Sequence, residues 1–118
     1  MRADILRRAD RLAKELRERG ADAFVILTEE DTNWESLFYL SGFRGTAGAL
    51  VLYADGEAEL TLDGRYALQG REQSPHRVFE QRTTLESDVT ESLQRHGAKE
   101  ILCEAGKTFH SSWEKLAA

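Results

Sequence analysis

The chain has 118 residues, 41% hydrophobic and 31% charged, which is enough apolar material for one compact domain over residues 1–118 and too much for a disordered tail. A single cysteine, Cys103, cannot pair internally, which argues against a disulfide-dense secreted scaffold and fits a reducing, cytoplasmic setting. No window approaches the roughly 18 uninterrupted apolar residues of a membrane span, and charges alternate where a leader would be apolar, so a soluble, unprocessed protein is expected. Net charge is −5, without the basic footprint of a nucleic-acid binder. Residues 1–20 carry seven basic and four acidic side chains; because the two signs interleave on one apparent helix, a solvated face fits better than an RNA or lipid surface.

Ile5, Leu6, Ala9, Leu12, Ala13 and Leu16 recur with helical spacing, and Gly20 follows as a stop signal. Phe24 to Leu27 is a short continuous apolar run, expected as a central strand buried on both faces. Thr32 and Glu35 have capping-box spacing before Leu37, Phe38 and Leu40, and Gly42 ends this short helix. Residues 43–48 form a loop, with Gly42, Gly45 and Gly48 spaced G-x-x-G-x-x-G. Residues 49–53 and 58–62 read as antiparallel strands joined through Asp55-Gly56. Asp63 is expected to cap a helix from Gly64 to about Gln73, and Pro75 closes that segment.

Residues 77–80 read as a brief strand. Thr83 and Glu86 show capping-box spacing ahead of Leu85, Val89 and Leu93, a helix that Gly97 ends. Residues 100–103 read as a further strand, and Thr108 opens a last helical pattern through Phe109, Trp113 and Leu116. The order helix, strand, short helix, hairpin, helix, strand, helix, strand, helix predicts an α/β domain: a mixed sheet flanked by helices.

Little in the sequence points to chemistry. His76, His96 and His110 are scattered singly and read as surface residues, and Cys103 reads as a small buried hydrophobe. The nucleophile elbow G-x-S-x-G is absent. The glycine triplet differs from the dinucleotide fingerprint and leads into a strand, not a helix, so it serves either to turn the chain or to face a ligand. Arg44, an always-charged plane between glycines and beside Phe43, is an exposed anchor suited to a carboxylate or an aromatic face, or a solvated side chain. Asp63, Arg65 and Tyr66 read as a helix start pinned to the sheet.

Arg7 to Gly20, Ala21-Asp22-Ala23, Asn33, the stretch Tyr39-Leu40-Ser41-Gly42-Phe43-Arg44-Gly45-Thr46-Ala47-Gly48, and Leu62-Asp63-Gly64-Arg65-Tyr66-Ala67-Leu68-Gln69 together resemble the N-terminal domain of the creatinase/aminopeptidase P family, nearest Xaa-Pro aminopeptidase or Xaa-Pro dipeptidase. The resemblance implies a three-layer α/β/α domain with a ribonuclease-H-like mixed sheet, joined in the parent protein to a catalytic pita-bread metallopeptidase domain. It implies a divalent metal, manganese or cobalt, held there by two Asp, one His and two Glu, none of which maps onto this chain, so catalytic and metal residues here are none. It also implies a role in oligomer contacts and in limiting active-site access to small proline-containing peptides. Phe43 and Arg44 fall where the family's loop approaches substrate, which implies that Phe43 packs near it and Arg44 steers its carboxylate end, both in another subunit's site. The expected partners are the chain's own catalytic domain, another subunit and peptides, with neither nucleic acid nor membrane. The chain is read as ending near a domain boundary and as inactive alone. A second reading is a stand-alone module that binds a peptide or protein through the same loop. A nuclease on this sheet would need clustered carboxylates on adjacent strands, and Phe24 to Leu27 supplies none.

Overall fold

A computed structural model describes residues 2–28, 34–45 and 47–103. Nine elements follow one another: α1 (Arg2–Glu18), β1 (Ala23–Thr28), α2 (Trp34–Ser41), β2 (Gly48–Tyr53), β3 (Ala58–Leu62), α3 (Gly64–Gln73), β4 (Arg77–Glu80), α4 (Leu85–Arg95) and β5 (Ile101–Cys103). The strands pair in the order β4-β3-β2-β1-β5. β1 runs antiparallel to β2 and parallel to β5, β2 runs antiparallel to β3, and β3 runs parallel to β4, so the sheet is mixed as expected. β1 is interior but sits one place off the middle; the central strand is β2, buried along its whole length.

Side-chain alternation divides the sheet into two apolar layers. Ile26, Leu50, Leu52, Leu60 and Leu62 face α1, α2 and α3, where they meet Ala9, Leu37, Leu40, Phe43 and Tyr66. Val25, Leu27, Ala49, Val51 and Tyr53 face α4 and meet Leu85, Val89 and Leu93. The uninterrupted apolar run in β1 is thus a strand covered on both sides, the condition under which polar alternation disappears.

Side chains cap the starts of α3 and α4. Asp63 caps α3, its carboxylate accepting the Arg65 N–H at 2.8 Å. At α4 the cap lies one residue later than the capping-box spacing predicts: the Thr84 hydroxyl accepts the Ser87 N–H at 3.1 Å, while Thr83 reaches toward the Asp88 carboxylate. Thr84 has the extended backbone a cap requires, and Asp88 gives Thr83 a competing partner. The Asp22 carboxylate accepts the N–H groups of Lys99 (2.8 Å) and Glu100 (3.0 Å), clasping the approach to β5 against the start of β1. The Thr32 cap and the helix expected from Thr108 lie outside the described residues.

Candidate functional site

The loop after α2 is built on a sharp reversal. Gly42 has φ +80°, and a Cβ there would lie 2.5 Å from Ile5 Cδ1 and 2.7 Å from the Gln73 carbonyl oxygen, so both its conformation and its surroundings demand glycine. The Ser41 hydroxyl donates to the Leu37 carbonyl and accepts the Phe43 N–H at 3.1 Å. A Cβ on Gly45 would run into the Phe43 ring, and one on Gly48 would meet a Leu62 methyl at 2.6 Å. Close packing therefore accounts for all three glycines of the triplet.

Two residues from this loop are expected at substrate, and the structure separates them. Phe43 has no exposed surface; its ring lies in the core, edge-on to Tyr66 with centroids 6.0 Å apart. Expecting Phe43 against substrate is corrected on this point: burial of an aromatic under Gly45 is worth more than its exposure, and the ring serves as the floor of the loop. Arg44 points outward. Its N–H donates to Gln73 Oε1 at 2.9 Å, its carbonyl accepts from Gln69 Nε2 at 3.0 Å, and its guanidinium carbon stands 3.7 Å from the centroid of the Trp34 ring. The aromatic face that the lone Arg suggested is thus Trp34, whose part the sequence alone did not indicate.

Arg65 pairs with Asp63 at 3.2 Å and lies over Tyr66, the pinning role expected for this group. The N–H of Arg65, then its guanidinium, hold the Asp63 carboxyl below its ordinary value.

A second polar constellation was not visible in the sequence. On the α4 face, Glu59 of β3 has a side chain only 4% exposed, and its carboxylate accepts from Ser92 Oγ (2.8 Å), Arg95 Nη2 (3.0 Å) and His96 Nε2 (2.7 Å). Tyr53 shares a hydrogen bond with Ser92 and stacks on His96 with centroids 3.7 Å apart. Burial pushes Glu59 up, but hydrogen bonds from His96, Arg95 and Ser92 outweigh it and leave the carboxyl below its ordinary value. Burial, above all, pushes the Tyr53 phenol up to about 12.

Two of the histidines are therefore not the surface residues expected. His96 is held by Glu59 and Tyr53. His76 is half-buried and donates from Nε2 to the Leu40 carbonyl at 2.8 Å, and burial lowers its pKa. His110 lies outside the described residues. Cys103 is half-buried on β5, and burial raises its thiol pKa.

A cleft of about 270 Å³ opens beside the Glu59 group, between β3, β4 and α4. At its rim Arg82 pairs with Glu91 at 2.6 Å, and the Arg82 backbone N–H donates to Asp88 at 2.8 Å. Among the described residues no group of three or more His, Cys, Asp or Glu could hold a metal ion. Nor is any described helix long and apolar enough to cross a membrane. The outward, firmly held Arg44 is the feature best placed to meet a ligand.

A family model described as the Creatinase/Prolidase N-terminal domain matches residues 8–117. The chain belongs to this family. A curated relative, "Probable Xaa-Pro aminopeptidase P" from Colletotrichum graminicola, is 35% identical over 61% of this chain and 13% of its own length. Among solved structures, the N-terminal domain of cytoplasmic peptidase PepQ from Mycobacterium tuberculosis H37Rv is 29% identical with a TM-score of 0.80, covering 93% of this chain and 82% of that one. The X-Pro aminopeptidase from Thermotoga maritima has the same fold, with a TM-score of 0.82 at 23% identity, over 93% of this chain and 30% of that one. The creatinase/prolidase N-terminal domain thus spans a minor part of the two full enzymes and most of the isolated PepQ domain.

Proposed function

We propose that this domain is the non-catalytic N-terminal part of a metal-dependent, cytoplasmic Xaa-Pro peptidase, where it makes subunit contacts, limits access to the active site and turns Arg44 toward a short peptide substrate. The observation that carries this reading is the loop at residues 42–45. It rests on a core aromatic, is tied to α3 through both backbone groups of Arg44, and presents a guanidinium to solvent from a domain of this family. Family membership and the named relatives support the peptidase setting. In this reading the metal, manganese or cobalt, is held by a catalytic domain of the parent protein. No chemical step is assigned to this chain.

The test has two arms. Incubated with manganese or cobalt and a Xaa-Pro peptide, the 118-residue chain is expected to give no hydrolysis, and turnover above buffer would overturn the non-catalytic reading. In a peptidase that carries this domain ahead of its catalytic domain, Arg44→Ala is expected to slow turnover of short peptides and shift the preference for peptide length. Unchanged turnover and preference would remove Arg44 from the substrate path.

A further inference from the structure

We propose that the outer edge of β4 is an interface for a second copy of this chain, the two β4 strands pairing antiparallel about Phe79 and joining two five-stranded sheets into one. The proposal gives a surface to the subunit contacts of the reading above and rests on that part of it alone. β4 is the edge strand on the side of the sheet away from β5. It pairs with β3 in the register Leu60↔Val78 and Leu62↔Glu80, and the Gln81 N–H donates to the Leu62 carbonyl at 2.7 Å. In a strand the N–H and C=O of one residue point to one side and those of the next residue to the other, so Arg77, Phe79 and Gln81 turn theirs toward β3. Val78 and Glu80 turn theirs outward, and among the described residues these groups have no partner.

That pattern is self-complementary. A two-fold axis through Phe79 sets Val78 against Glu80 of the second copy and Glu80 against its Val78, and each such pair exchanges both its N–H and its C=O. Every outward backbone group is then satisfied. The neighbouring registers lose part of this. One step one way brings in His76, whose N–H is already donated to Ser74 Oγ at 3.1 Å; one step the other sets Glu80 against Glu80 of the second copy and brings in Arg82, whose N–H is donated to Asp88 at 2.8 Å. In the favoured register Arg77 and Glu80, the charged ends that keep an edge from pairing indiscriminately, face the uncharged Gln81 and Val78. Phe79 meets its own counterpart in a non-hydrogen-bonded pair, where opposed side chains stand closest. Its ring is half-buried on the α4 side of the sheet, where α4 packs chiefly on β1, β2 and β3, and it lines the cleft beside that helix. An aromatic pair there covers apolar surface that the lone chain leaves to water.

The experiment is sedimentation velocity of the 118-residue chain. The series runs from about 20 µM to about 1 mM, because a contact of this size belongs to the weak class of interfaces. The unaltered chain is expected to pass from monomer to dimer across the series, and hydrogen exchange at the Val78 and Glu80 N–H groups to slow at its concentrated end. Glu80→Pro deletes an outward donor without touching the β3 ladder and is expected to weaken association at least about tenfold. Glu80→Ala, which keeps the N–H, is expected to dimerise like the unaltered chain. Phe79→Lys and Phe79→Glu are each expected to be monomeric, since each sets like charges against one another at the two-fold axis, and an equimolar mixture of the two to associate again. Circular dichroism checks that every variant is folded. A chain that stays monomeric to the top of the series overturns the interface, as does a dimer in which Val78 and Glu80 exchange as fast as in the monomer. Association that survives Glu80→Pro, or a mixture no more associated than either position-79 variant alone, places the contact at another surface or register and overturns it as well. No hydrolysis enters this measurement, and subunit contacts made elsewhere on the domain would still appear in a peptidase that carries it, so the two readings fail separately.

Discussion

Replacing Glu59 tests whether the buried polar group on the α4 face fastens that helix to the sheet. The Glu59 carboxylate is 4% exposed and accepts three hydrogen bonds, two from groups that are themselves largely buried and one from Arg95, which is half-exposed. A hydrogen bond to a buried charge is worth about 1.5 kcal/mol net, and the Arg95 contact, screened by water, under about 1 kcal/mol. Arg95 can return to solvent and Ser92 keeps Tyr53, so Glu59→Leu is expected to cost about 3 kcal/mol, and Glu59→Gln, which keeps an acceptor oxygen, about 1 kcal/mol. With a urea slope of about 1.5 kcal/mol per molar, the leucine variant should unfold near 2 M lower urea at unchanged slope, read by circular dichroism. The pH dependence supplies a second signature. Because hydrogen bonding holds the folded carboxyl below its ordinary value, its contribution is whole above the unfolded pKa of about 4.3 and is lost as pH falls through the folded one. Glu59→Gln should lose that part of the acid sensitivity. Leucine within about 0.5 kcal/mol of the unaltered chain, together with an unchanged acid limb in the glutamine variant, would refute the reasoning.

Gly42→Ala is expected to cost at least about 3 kcal/mol, since it adds left-handed strain to a contact with the Gln73 carbonyl, which as backbone cannot swing aside; denaturant unfolding measures it. Thr84→Ala should cost about 1 kcal/mol as the loss of a helix cap, while Thr83→Ala should stay under about 0.5 kcal/mol, and the reverse order would reinstate the earlier cap.

Elements whose residues carry a local rule were legible from sequence. The β1 run had to be covered on both faces, Asp63 had to cap what followed it, and Asp55-Gly56 had to turn a hairpin; each holds because the cause lies within a few residues. What depends on a distant partner was not legible. Glu59 alternates with apolar neighbours in β3 as a solvent-facing residue would, and its burial is decided by Ser92, Arg95 and His96, more than thirty positions away. The helical spacing of those three residues was the available signal, and it needed the strand order to become meaningful. Arg44 showed itself through its glycine neighbours, whereas Trp34, Gln69 and Gln73, which determine how it is held, are joined to it only by tertiary packing. Phe43 misled because its loop is exposed while its ring is not.

The Asp22 clasp bears on how the fifth strand is held. β1, β2, β3 and β4 each pair with a sequence neighbour, whereas β5 reaches β1 across 77 positions between Asp22 and Lys99. Its ladder to β1 covers three residues. With so few ladder pairs at the sheet edge, the two N–H groups that the Asp22 carboxylate accepts are a large share of what fastens the approach to the fifth strand.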